Sequence, residues 1–170
     1  MITRPAEQEH DPAFSRYIFR VPEGNLIQLF ESQTQKTRRF FESVSEERAN
    51  YSYAPGKWSL KEVLGHVMDF ERVFAYRTLC IARGEEQPLP GYDENNYARL
   101  ADYDRIPLEK VLEQYNHLRA STIGLLEQIP DDAWGRTGTV NAKTISLRAL
   151  AYIMPGHELH HMNVIAERYL

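Results

Sequence analysis

Four stretches of this chain carry apolar residues at the 3.6-residue period over helical lengths, and no stretch of comparable strength alternates with period two. That contrast selects an all-α fold. A first helix is predicted from about Asn25 to Val44, with Leu26, Phe30, Thr37 and Phe41 along one side. A second starts at Ser59, where Ser59-Leu60-Lys61-Glu62 reads as a capping box, and reaches about Arg83, ahead of Gly84. Pro107 suits the first turn of a third helix, and Pro130 stops it. The fourth is predicted from about Thr144 to Tyr169. The segment from Glu85 to Pro107 is long for a connection inside a compact domain and reads as a crossover or a functional lid. Four long amphipathic helices with a long crossover between helices 2 and 3 predict a four-helix bundle, which places ligand and metal sites among inward side chains.

A chain of 170 residues fits one domain, residues 1–170, in which residues 1–22 read as an N-terminal extension. Twenty Lys and Arg against twenty-four Asp and Glu give a net charge of -4, the wrong sign for a protein that neutralises phosphates, so no nucleic-acid partner is expected. The N-terminal residues carry acids and prolines where a signal peptide needs an apolar run, and no later run approaches the ~18 residues of a membrane span. The expectation is a cytoplasmic protein, off the membrane, with a small-molecule substrate. The lone Cys80, among Leu79, Ile81 and Ala82, reads as a small buried hydrophobe.

Polar residues inside apolar stripes are the most informative feature. On the fourth helix His157 and His161 share a face with Leu147, Leu150, Met154, Val164 and Ile165. Residues four apart lie ~5–6 Å apart at Cβ, close enough for both rings to reach one ion at ~2.0–2.1 Å. On the second helix His66 falls in the stripe of Val63, Phe70, Val73 and Phe74. A single core histidine needs only a hydrogen-bond partner, whereas three facing one seam form a metal-ligand set with vacant positions, as in catalytic sites. The string His157-Glu158-Leu159-His160-His161 also satisfies H-E-x-x-H, in which the Glu is a general base. Those proteases take a third ligand downstream, where no histidine stands, so the protease reading is disfavoured. His160 points about 60° away from His157 and is assigned to the rim. Glu158, His160 and Asp69 are the catalytic candidates; Asp69 and Glu62 flank His66 on the seam edge, where they could orient an imidazole or bind metal-bound water, with a solvated helix flank as the plain alternative for both. His117 and His10 read as surface residues. Pro155 either kinks the fourth helix before His157 or divides it in two.

Two strings then resemble a known family: Lys57-Trp58-Ser59-Leu60-Lys61-Glu62-Val63-Leu64-Gly65-His66, and Leu147-Arg148-Ala149-Leu150 followed by Gly156-His157-Glu158-Leu159-His160-His161. Together they are similar to the DinB-like superfamily, especially its YfiT-like branch, over roughly Tyr17 to Tyr169. The resemblance implies an up-down-down-up bundle, a homodimer, and a divalent metal ion, zinc or nickel, on His66, His157 and His161. For activity it implies a metal-dependent hydrolase or an S-transferase using a low-molecular-weight thiol such as bacillithiol, mycothiol or glutathione, and the fold does not choose between them. The reading from a different class is a non-catalytic metal-binding stress-response protein. The string Pro90-Gly91-Tyr92-Asp93-Glu94-Asn95-Asn96-Tyr97 resembles a family segment near the site mouth.

Overall fold

The computed structural model describes residues 2–170. In chain order it has α1 Ser15–Ile18, α2 Leu26–Glu42, α3 Glu46–Ala49, α4 Leu60–Ala82, α5 Glu94–Ala101, α6 Leu108–Glu127, β1 Thr137–Val140, β2 Lys143–Ser146 and α7 Leu147–Arg168. Local chemistry sets the ends of the long helices. The Asn25 side chain accepts the Ile27 and Gln28 N–H groups to open α2. The capping box forms as expected at α4: the Ser59 hydroxyl accepts the Glu62 N–H, and the Glu62 carboxylate accepts the Ser59 N–H at 2.8 Å. Just past α4, Gly84 takes a φ of +82°, a conformation that L side chains resist.

Contacts between helices fix their directions. Lys61 Nζ donates to the Ile106 carbonyl ahead of α6, and Glu71 pairs with Arg119 further along both helices, so α4 and α6 run parallel. The Tyr169 hydroxyl donates to the Trp58 carbonyl while His66 meets His157, so α7 runs against α4. Gln33 reaches the Pro155 carbonyl and Thr37 reaches Glu158, which makes α2 parallel to α7. The four long helices are therefore up-down-down-up, and the parallel α4–α6 pair needs the long crossover that residues 83–107 supply.

Three features depart from the sequence reading. The crossover contains α5, opened by the Asp93 side chain, and a single 3₁₀ turn at Tyr103–Arg105. Tyr103 seats its ring where a Cβ on Gly65 would stand 2.2 Å from it, so Gly65 admits the crossover to the surface of α4. Ahead of α7, β1 and β2 form an antiparallel hairpin whose two turn residues, Asn141 and Ala142, have φ of +49° and +60°. Thr144 and Ile145, expected in the first turn of the fourth helix, are strand residues. The β-branched Thr137, Thr139, Val140, Thr144 and Ile145 favour that pairing, and Leu89 of the crossover bonds to both Thr139 and Asn141.

Of the residues expected to form an extension, 2–22 are built into the molecule instead of extending from it. Tyr17, Ile18 and Val21 are buried, and His10, expected at the surface, is buried as well. The chain can pack there because α1 lies against Gly156, where a Cβ would stand 2.2 Å from the Tyr17 carbonyl oxygen. α7 runs unbroken through Pro155 and is one helix. Cys80 is half-buried, and His117 is exposed as expected. The apolar core falls into two clusters, one around Phe30, Phe70, Phe74 and Leu150, the other around Phe41, Leu64, Val111 and Ile165.

Two glycine substitutions are expected to have opposite signs. Gly156→Ala drives a methyl into backbone that cannot swing aside and should lower stability by about 1–3 kcal/mol. Gly124→Ala, in α6 with nothing within 4 Å of its added Cβ, should raise it by roughly 0.5–1 kcal/mol. Urea denaturation of both variants checks this, and a neutral Gly156→Ala would contradict the close approach of α1.

Candidate metal centre

The long helices α4 and α7 bring His66, His157 and His161 together, with their ligand-capable atoms all within 4.8 Å of one another. His157 Nε2 lies 3.0 Å from His66 Nε2 and 3.1 Å from His161 Nε2. Two metal–nitrogen bonds of ~2.0–2.1 Å meeting at ~90–109° place their nitrogens about 2.8–3.4 Å apart. His66 and His157 are buried and His161 is half-buried, so the set faces outward at His161. Burial pulls the His66 pKa down to about 4, and burial with the neighbouring imidazoles pulls His161 down to about 3 and His157 well below the ordinary range. All three are neutral at pH 7, the state in which a histidine offers a lone pair to a metal. His157 Nε2 faces the Nε2 atoms of both His66 and His161, an arrangement that N–H donation between neutral rings serves at most by sharing one proton, whereas one cation would take up the three lone pairs together. The donor set fits a divalent ion.

Neighbouring rings hold the imidazoles in place. Trp58 lies 4.6 Å from His66, Phe70 stacks on His157 at 3.6 Å with an interplanar angle of 5°, and Tyr17 meets the His157 ring edge-on at 5.2 Å. A cavity of about 260 Å³ reaches His161 and is lined by Tyr53, Lys57, Trp58, Asn95 and Tyr169. Asn95 belongs to α5, so the crossover borders the cavity at His161.

The other candidates stand elsewhere. The His160 ring is 5.1 Å from His161 and 5.6 Å from Tyr17, outside the three-nitrogen cluster, which makes the close pair on α7 the i, i+4 one. Glu158 is fully buried and accepts hydrogen bonds from the Thr37 hydroxyl at 2.6 Å, the Tyr115 hydroxyl at 2.7 Å and the Arg119 guanidinium. Its oxygens are committed to α2 and α6, which leaves the H-E-x-x-H string without its base. Asp69 accepts from Arg72 at 2.8 Å and from the Tyr103 hydroxyl at 3.0 Å, and so ties down the crossover. The sequence reading missed Arg119 and Glu71, which pair at 2.8 Å and are both buried. The available signal was the position of Arg119, four residues after Tyr115 and three before Thr122 on one helical stripe.

Residues 29–165 match the DinB superfamily. The chain belongs to that family. A protein of Oceanobacillus iheyensis named "putative metal-dependent hydrolase" is 30% identical over 121 residues, 70% of this chain and 69% of the relative. One of the same name from Geobacillus kaustophilus is 25% identical over 125 residues, 72% and 70% of the two chains. Among solved structures, YfiT from Bacillus subtilis, described as a probable metal-dependent hydrolase with an unusual four-helix bundle topology, superposes with a TM-score of 0.75 at 21% identity over 97% of this chain and 90% of that one. A mycothiol-dependent maleylpyruvate isomerase has a TM-score of 0.67 at 16% identity, covering 84% of this chain and 60% of that longer one. These likenesses agree on the fold.

Two consequences of this DinB-superfamily site are measurable without substrate. In the unfolded chain a histidine titrates near pH 6.5, whereas folded His66 titrates near 4. The unfolded state therefore takes up protons first, and stability of the metal-free protein is fullest above pH 6.5 and falls as the pH drops toward 4, by up to about 3 kcal/mol for His66. Thermal denaturation in EDTA between pH 8 and 4.5 should show the decline, and a smaller one in His66→Phe. Arg119→Met leaves Glu71 and Glu158 buried without their cation and should cost about 3–5 kcal/mol, read by urea denaturation.

Proposed function

We propose that this protein is a metal-dependent enzyme in which His66, His157 and His161 hold one divalent ion, zinc or nickel, with the remaining coordination open toward the cavity beside His161. It acts on a small molecule, either as a hydrolase or as an S-transferase for a low-molecular-weight thiol. The observation that carries this reading is the convergence of three neutral Nε2 atoms, 3.0 and 3.1 Å apart, from a set that is closed on its inner side and open at His161. Bound there, a divalent ion supplies Lewis-acid polarisation and acidifies a water or a thiol.

The chain's own residues supply the rest. Phe70 and Tyr17 fix the His157 ring, and Trp58 covers His66 and keeps water from its flank. Tyr53, Trp58 and Tyr169 form an aromatic wall against which an apolar substrate body packs, while Lys57 and Asn95 offer N–H donors to its polar end. The relatives named as metal-dependent hydrolases support the hydrolytic form, and the mycothiol-dependent isomerase among the structural neighbours supports the thiol form. In the thiol form the nucleophile comes from outside, because Cys80 is fourteen residues beyond His66 on α4, ~21 Å along the axis. The same reading takes the protein as cytoplasmic and homodimeric. Among the described residues, no helix is long and apolar enough to cross a membrane.

Metal content separates ligands from neighbours. His157→Ala and His161→Ala are each expected to lose most of the bound metal by plasma emission spectrometry, and His160→Ala to keep it. The reverse order would make the i, i+3 pair the ligands. Activity on electrophile, ester and amide panels should vanish with chelation and return with a divalent ion, and a requirement for added thiol assigns the transferase form. No turnover across the panels, with a saturated coordination sphere, would favour a non-catalytic metal-binding role.

A further inference from the structure

A second cavity, of about 250 Å³, lies near the metal centre but holds none of its ligands. Phe14, Phe70, Phe74 and Val140 give it apolar walls, and Arg77 and Tyr92 give it polar groups. Phe70 is stacked between His157, at 3.6 Å, and Phe74, at 4.0 Å, so the two sites share one ring. Arg77 itself is eleven residues past His66 on α4, ~16 Å along the helix.

Arg77 is only 4% exposed, yet among the described residues no carboxylate pairs with it. It donates one hydrogen bond, to the Pro90 carbonyl at 2.8 Å, and its guanidinium lies 5.0 Å from the Phe74 ring centre and 5.6 Å from that of Tyr92. Buried arginines elsewhere in this molecule behave otherwise, for Arg119 has two carboxylates. A buried charge needs a counter-charge, and a guanidinium presents five N–H donors in a fork that matches a carboxylate. Burial accordingly lowers the Arg77 pKa from its ordinary value. The Tyr92 hydroxyl is the second orphan in this cavity: it is buried and has no hydrogen-bond partner.

The rim decides what kind of anion fits. Lys143 faces Asp11 at 3.8 Å, and Asp11 also accepts the Ala13 N–H. Glu94 adds a second acid at the mouth. One inner cation behind a rim that carries acids suits a single negative charge and disfavours phosphate esters. The apolar walls ask for a hydrophobic body, and the volume limits it to a small one.

We propose that this cavity binds a small monocarboxylate with an aromatic or short aliphatic body, its carboxylate received by Arg77 and Tyr92. The site is independent of the metal reading, and its test is run without metal. Benzoate is titrated into EDTA-treated protein by isothermal calorimetry, with ¹H–¹⁵N spectra to locate the response. Saturable binding is expected, with Arg77→Met weakening it at least tenfold, Tyr92→Phe weakening it a few-fold, and benzyl alcohol binding at least tenfold less well than benzoate. Circular dichroism checks that the variants are folded. Should Arg77→Met fail to fold, the Tyr92→Phe and benzyl alcohol comparisons still decide. The proposal is overturned if benzoate shows no saturable binding up to about 10 mM, two orders weaker than a 0.1 mM ligand. It is equally overturned if folded Arg77→Met binds benzoate as well as the wild type, or if inorganic phosphate binds more tightly than benzoate. Metal content is unaffected by any of these outcomes, so failure here leaves the three-histidine reading untouched.

Discussion

One buried carboxylate joins three of the four long helices, and its cation brings in the fourth. Glu158 projects from α7, receives the Thr37 hydroxyl from α2 and the Tyr115 hydroxyl and Arg119 guanidinium from α6, and Arg119 turns also to Glu71 on α4. The residue before Glu158 is His157. Rotating α7 about its axis would break the bonds of Glu158 and swing the histidines out of the seam together, so the charge cluster and the three-histidine cluster demand the same register. Such clusters contribute little net stability, because removing the ions from water costs about as much as their attraction returns. What this one supplies is a single permitted arrangement of four helices that apolar packing alone would leave freer to slide. It also divides the core, with one apolar cluster on the Phe30 and Leu150 side and another on the Phe41 and Ile165 side.

The histidines were legible in the sequence because a polar residue in an apolar stripe contradicts its surroundings, and three such contradictions at compatible spacing name a common cause. Glu158 was illegible for the complementary reason. It sits at the edge of the stripe of α7, and whether an edge is wet or dry depends on what packs beside it, here α2 and α6. Arg119 was hidden the same way, as a charged residue whose helix position is apolar but whose type ordinarily signals solvent. The Ser59 cap was readable because both halves of the box lie within four residues. The β1–β2 hairpin was not, since four-residue strands next to a strong helical pattern leave little periodicity to detect. Nor could the sequence show that Gly65 and Gly156 are contact points, because their partners, Tyr103 and Tyr17, lie 38 and 139 residues away.

The crossover carries more of the site than its composition suggests. Asn95 borders the cavity at His161, while Tyr92 and Glu94 border the cavity at Arg77, so adjacent residues of one segment serve two chambers. Tyr103, bonded to Asp69 and seated on Gly65, anchors the far end of that segment to α4 on either side of His66. Movement of the crossover would therefore be felt in both chambers at once.

The up-down-down-up order also governs how the protein reaches its native state. In a bundle of alternating hairpins each helix finds its partner next to it in the chain, and folding is fast because the contacts are local. Here the pairings that matter span long separations: 91 residues between His66 and His157, 121 between Thr37 and Glu158. Each closes a large loop before any packing rewards it, which places such contacts late and makes the route slower than the helical content alone would suggest. The i, i+4 pair on α7 exists as soon as that helix does, but the third nitrogen arrives only with the long-range assembly of α4 and α7. The complete three-nitrogen set therefore exists only once α4 and α7 have assembled.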